Sequence, residues 1–423
     1  MTDRPLAKGV SPATMAVLLL SVFTVSIGYG VVLPLLPYLL ERLLGSSGGG
    51  AGVSRATGLL TALYTLSLFL FAPAWGWVSD RYGRRSILLI GLLGFAATML
   101  ASAFLESLPA VYAERFVSGL FAAAVTPVAL AAVADLVATE EARARRLTFV
   151  SLAGVSGFLL GPMMGVVIAR GGATLVPIFR SPGILAFPLA GTAILALIAA
   201  AAAAVTLPGN AERKAVSRLE RKGPKPSRWV VPKLLALAFV VSAGVGVFEV
   251  GLALRGKQEL GLTQYQIAWM FTECSLVMLV VQALVFSPWV KPATTRWFIA
   301  PSLGILAVGL FLIPRASDFR LMLVVIGAVA ASAGILSPIL TYWISSKAGK
   351  TQGAELGKQT GASSLGAAVG SAAGGLLFNV KGLPDVSFLL TGGLVGFSVL
   401  LSLDLPRLLA PRRKELSAKR VHP

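Results

Sequence analysis

Residues 76–85 read GWVSDRYGRR. Ahead of them lies GLLTALYTLSLFLFAPAW (58–75), and after them SILLIGLLGFAATMLASAFL (86–105). A solvated turn between two apolar runs needs some charge. It does not need one acid, three arginines and two glycines in this order. The flanking runs are each about 20 residues long, enough to cross a roughly 30 Å hydrocarbon core as helices. Such runs recur along all 423 residues, of which 56% are hydrophobic and 13% charged. Soluble domains carry roughly 25% charged residues. In lipid only helices and closed barrels satisfy their backbone hydrogen bonds. The runs are continuous rather than alternating, which excludes a barrel pattern. The chain is therefore read as an all-α, multi-pass membrane protein.

Twelve spans are expected at about 12–41, 55–79, 86–105, 109–137, 144–169, 183–206, 232–256, 264–290, 297–313, 319–345, 357–380 and 386–408. They divide the chain into a six-helix unit (1–206), a basic linker (207–231), a second six-helix unit (232–410) and a tail (411–423). The formal charge of +19 would suggest nucleic acid on a soluble protein. Here it is a topology signal, and no nucleic-acid partner is expected. About 27 of the 37 basic residues fall in the termini, the linker and alternate loops, which predicts both termini in the cytoplasm. Two landmarks repeat at an offset of about 210 residues, as expected of an internal repeat. The end of the second span matches that of the eighth, and the glycine-rich fifth span, GVSGFLLGPMMG (154–165), matches the eleventh, GASSLGAAVGSAAGG (361–375).

The order within GWVSDRYGRR resembles the cytoplasmic signature of the major facilitator superfamily, matched at Gly76, Asp80, Arg81, Gly83, Arg84 and Arg85. Three further stretches resemble motifs of that family's drug:proton antiporter branch. YGVVLPLLPYL (29–39) is similar to its proline-containing first span. ERFVSGLFAAA (114–124) is similar to its Arg-x-x-x-Gly motif, at Arg115 and Gly119. GVSGFLLGPMMG is similar to its antiporter motif, at Gly154, Gly157, Gly161, Pro162 and Gly165. The resemblance implies two six-helix bundles related by a pseudo-two-fold axis, working as a monomer in the cytoplasmic membrane. It implies export of a small amphipathic or apolar compound in exchange for protons, with the proton gradient as energy source and no cofactor. Two other readings stay open: the same fold carrying a sugar, organic acid, siderophore or lipid-like molecule, and a non-transporting sensor or assembly factor on a transporter scaffold. The loop SPWVKPATTRWF (287–298) departs from the family pattern, because it lacks the glycines and the acid of the first-half signature.

Individual residues carry further expectations. Helix N-termini hold partial positive charge and free amides. Asp80 is expected to sit against the start of the eleventh span near Gly357, as a latch between the halves. The resemblance makes Asp135 and EEARARR (140–146) its neighbours at the next inner loop. Acids inside a membrane are functional hypotheses. Burial disfavours their charged form, so a membrane carboxyl can take up a proton on one side and release it on the other. Glu273, roughly 14 Å from the outer end of its span, ranks first as proton carrier. Glu249, in the outer third of the seventh span, ranks second. Glu114 ranks third; with Arg115 it could instead pair across the bundle. His422 lies in the tail and is no relay. Tyr29, Tyr64, Arg115, Phe121, Phe248, Trp269, Met270 and Phe271 are candidates to line a central cavity. Cys274, the one cysteine, allows no internal disulfide. The residues form no metal cluster, nucleotide-binding loop or catalytic triad pattern, so no enzyme is expected.

Overall fold

The structure, a computed structural model, describes residues 11–136, 140–175, 186–207, 229–285, 287, 290, 292–347, 352–380, 383 and 385–410. The linker (apart from its edges) and the tail lie outside these residues. Ten helices among the described residues are long and apolar enough to span a membrane. They are α1 (Pro12–Gly45), α2 (Gly49–Tyr82), α3 (Arg84–Ser102), α4 (Leu108–Leu136), α5 (Glu140–Leu175), α6 (Ala186–Thr206), α7 (Val230–Gln258), α8 (Gln264–Val285), α9 (Ala293–Arg315) and α10 (Phe319–Lys347). The glycine-rich α11 (Gln352–Leu376) and the shorter α12 (Val386–Ser402) bring the number to twelve, followed by the single turn α13 (Leu405–Leu408).

Local chemistry sets the breaks. Pro12 opens α1 behind Ser11, whose hydroxyl accepts the Thr14 N–H at 3.1 Å, a standard N-cap. The chain reverses between α1 and α2 at Gly45 and Gly49, which hold φ of 56° and 52°. At the other end of α2, Gly83 takes φ 96°, a conformation that a residue with a Cβ rarely adopts. That explains the second glycine of GWVSDRYGRR. The arginines close the neighbouring helix ends. Arg84 pairs with Asp80 at 2.5 Å and donates to Ser79 Oγ, while Arg85 donates to the Ala204 carbonyl in the last turn of α6. Guanidinium groups at helix C-termini satisfy orphan carbonyls and oppose the dipole.

The two halves pack by one scheme. α1 lies on α5 and α7 lies on α11, as the correspondence of fifth and eleventh spans requires. Both contacts depend on glycine. A Cβ at Gly157 would stand 2.4 Å from the Phe23 carbonyl oxygen, and one at Gly161 2.8 Å from that of Ile27. In the second half, a Cβ at Gly366 would be 2.2 Å from the Phe239 carbonyl oxygen, and one at Gly370 2.1 Å from that of Ala243. Small residues let membrane helices approach this closely. Between the halves, α2 meets α11 and α5 meets α8.

The bundle has two unlike faces. One carries the 76–85 turn. The other carries the α1–α2 and α7–α8 turns, and there the halves are sewn together. Gln258 Nε2 donates to the Gly50 carbonyl at 3.1 Å, Asn379 Nδ2 donates to Ser54 Oγ at 2.7 Å and to Gln258 Oε1 at 3.0 Å, and the Tyr38 hydroxyl donates to the Leu262 carbonyl at 2.6 Å. Lys257 pairs with Glu41 and lies 4.4 Å from the Tyr38 ring centroid. Just below, Gly58 meets Gly375: a Cβ at Gly58 would stand 2.5 Å from the Gly375 Cα. Toward the 76–85 face the same two helices part. Gly361 is met by the Phe69 ring at 3.5 Å, and Gly357 and Gly76 face open space.

Candidate functional site

At mid-bundle, α1 and α7 meet through one hydrogen bond. The Tyr29 hydroxyl donates to Glu249 Oε2 at 2.7 Å. Tyr29 stacks on Tyr64 of α2 (centroids 5.3 Å apart, planes at 24°) and on Phe158 of α5 (5.7 Å, 28°). Phe158 in turn meets the edge of Phe271 of α8 at 6.4 Å. Thus a carboxyl of the second half is held by an aromatic cluster of the first. Its partner here is a neutral donor, not a cation, so the group is left able to take a proton or a positive charge from a ligand.

Beside this contact lies a cavity of about 180 Å³ between the halves. Gly154, Val155 and Phe158 line it from α5, Val245, Phe248 and Glu249 from α7, Cys274 and Met278 from α8, and Val329, Ala330 and Ala333 from α10. The lining is apolar with one acid. Gly154 of the glycine-rich stretch belongs to this wall, while Gly157, Gly161 and Gly165 turn to α1. Pro162, inside α5, is buried with them.

The other expected residues lie elsewhere. Glu273 is not among the lining residues; it stands on the flank of α8 toward Gly327 of α10, with Oε1 3.4 Å from a Cβ placed there. Of the two acids, Glu249 and not Glu273 lines this cavity. Trp269 is 50% exposed and points out of the bundle, and Met270 is fully buried in the core. Phe121 packs over Gly94 of α3 inside the first half. Asp80 is paired with Arg84 and its side chain is 64% exposed; it does not cap α11, which begins at Gln352. Asp135 lies in α4, its side chain outside the described set.

Glu114 and Arg115 pair with each other rather than across the bundle. Arg115 Nε and Nη2 donate to the two carboxylate oxygens at 2.7 and 2.9 Å, and both side chains are 6% exposed. They face a small cleft lined also by Arg42, Ser102 and Leu189. Removing one partner of a buried pair leaves an uncompensated charge, at a cost of about 3–5 kcal/mol. Glu114→Gln is therefore expected to lower the thermal unfolding midpoint in detergent sharply, and the double variant Glu114→Gln/Arg115→Met to recover most of the loss. Arg255 is the buried cation of the second half among the described residues. It joins Glu259 and Asp385 and donates to the Pro314 carbonyl at 2.5 Å. Burial raises the Glu259 carboxyl above its usual range, against the pull of Arg255.

Sequence reasoning missed Phe158, Met278 and every member of the sewn face. Apolar cavity walls leave no polar signal, and the face joins residues more than 200 positions apart, such as Ser54 and Gln258.

Comparison with known proteins agrees with the fold. The family model described as Major Facilitator Superfamily matches residues 18–285 and 234–422. Multidrug resistance protein 2 of Bacillus subtilis is 27% identical over 367 residues, covering 86% of this chain and 88% of its own. Quinolone resistance protein NorA of Staphylococcus aureus (strain COL) is 26% identical over 368 residues, covering 86% and 89%. Among solved structures, the human organic anion transporter MFSD10 (TETRAN) superposes with a TM-score of 0.71 at 21% identity, covering 93% of this chain and 100% of that one. The D-xylose-proton symporter superposes with 0.72 at 15% identity, covering 93% and 98%.

Proposed function

Because this chain belongs to the Major Facilitator Superfamily, we propose that it exports small amphipathic compounds from the cytoplasm in exchange for protons. The observation that carries this reading is the Glu249 carboxyl, set in an apolar cavity between the halves and held across them by Tyr29. A carboxyl so placed cannot keep a proton and the cationic end of a substrate together. Competition for one group is enough to couple the two fluxes. Substrate displaces the proton when the cavity opens inward, and an external proton displaces the substrate when it opens outward. The names of the relatives, multidrug and quinolone resistance proteins, support the export of drug-like compounds.

The basic bias of loops and termini supports placing the 76–85 face in the cytoplasm. On that assignment the sewn face is an external gate in its closed state, and the cavity faces the cytoplasm. Asp80 then belongs to the opposite state: when the inner ends of α2 and α11 close, its carboxylate meets the start of α11. The reading is tested in proteoliposomes by comparing substrate accumulation with and without an imposed pH gradient. Accumulation that ignores the gradient overturns it.

A further inference from the structure

Glu273 has no role in the central cavity, yet it is an acid at mid-membrane. It lies nine residues into α8, about 14 Å from the outer end of the helix. At 3.6 residues per turn it follows Trp269 by four and precedes Leu276 by three, so it shares their face. Trp269, Leu276 and Val280 are all exposed on that face, which in a bilayer meets hydrocarbon. Cys274 and Met278 face the cavity from the other flank. Across the groove, α10 contributes Val324, 71% exposed, and then Gly327, where a Cβ would meet nothing within 4 Å except Glu273 Oε1. The glycine leaves a notch in the wall at the level of the carboxyl. Glu273 Oε2 is buried and has no hydrogen-bond partner among the described residues. Neither helix carries Lys or Arg within two turns of Glu273 or Gly327, other than Arg320 seven residues away.

We infer that this α8–α10 groove is a second, lipid-facing site that takes a membrane-dissolved organic cation, an ammonium on an apolar body, with Glu273 as counter-ion. An unpartnered buried acceptor is costly, and an ion pair formed in hydrocarbon is little screened. The depth excludes a lipid headgroup, which stays near the helix ends. Only a cation that partitions into the hydrocarbon reaches this level. The inference stands on the groove alone and does not need Glu249.

The test is photolabelling of the full chain in phosphatidylcholine nanodiscs. The probe is an alkyl trimethylammonium carrying a diazirine in its chain, and the control is the alcohol of the same chain. Peptide mapping is expected to place the cation's label on 269–276 and 321–328. Labelling should fall at least about tenfold, or roughly 1.4 kcal/mol, in Glu273→Gln and in Gly327→Leu, which fills the notch and keeps the acid. It should persist in Glu249→Gln. Should Glu273→Gln not yield monodisperse protein, Gly327→Leu decides. Equal labelling by the alcohol, undiminished labelling in either groove variant, loss in Glu249→Gln, or cross-links showing a second copy seated on Trp269 would each overturn the inference.

Discussion

Glu249→Gln is expected to abolish gradient-driven accumulation while leaving substrate exchange intact. Glutamine keeps the shape of the protonated acid and can still accept the Tyr29 hydroxyl, so the α1–α7 contact survives. What it cannot do is release a proton. A gradient of one pH unit is worth about 1.4 kcal/mol per proton, enough for a one-for-one exchanger to hold about a tenfold substrate gradient. In the variant that ratio should fall to about one, with counterflow of labelled against unlabelled substrate retained. Glu273→Gln is expected to keep the tenfold ratio, because that side chain lies outside the cavity. If the two variants exchange phenotypes, Glu273 is the coupling group and the cavity acid is structural.

Gly58→Leu should have an effect of similar size by another route. A Cβ at this position already stands 2.5 Å from the Gly375 Cα and 2.6 Å from the Ser371 carbonyl oxygen. These are backbone atoms of α11, so no rotamer relieves the clash. The close approach of α2 and α11 becomes inaccessible, while each half keeps its internal packing. Transport is expected to fall more than about tenfold, because alternating access needs both states populated. The diagnostic readout is thiol accessibility on a Cys274→Ser background. A cysteine replacing Ser54, which is 1% exposed, should resist an impermeant reagent with Gly58 present and react in Gly58→Leu. Continued protection would show that α2 and α11 absorb the leucine without opening.

The architecture could be read in advance because it rests on one-dimensional signals. Apolar length marks the spans, basic residues mark alternate loops, and Gly83 marks a break that its positive φ makes obligatory. The kinship of α5 with α11 was also legible, since both need glycine where a partner helix approaches. Which of the two acids lines the cavity was not. Depth can be counted along a helix, but facing cannot be read when the helix is apolar on every side. α8 is such a helix, so Glu273 looked central and Trp269 looked like a cavity residue. Glu249 stood out less because its distinguishing feature is Tyr29, 220 positions away. Glu114 and Arg115 misled for a related reason. Neighbours on a helix point in different directions, yet these two long side chains curl together into a bidentate pair. Asp80 was expected to meet α11 because the motif implies contact between the halves there, and here Gly76 and Gly357 on that face meet open space.

The most direct measurement is proton release on substrate binding. Purified protein in weakly buffered detergent, with a pH indicator present, is titrated with a lipophilic cation such as tetraphenylphosphonium. With the groove acid removed in a Glu273→Gln background, competition at Glu249 predicts close to one proton released per cation bound at a pH where the carboxyl is protonated, and none once Glu249→Gln is added. Binding to the Glu273→Gln protein with no proton released, or equal release after Glu249→Gln is added, would contradict the account.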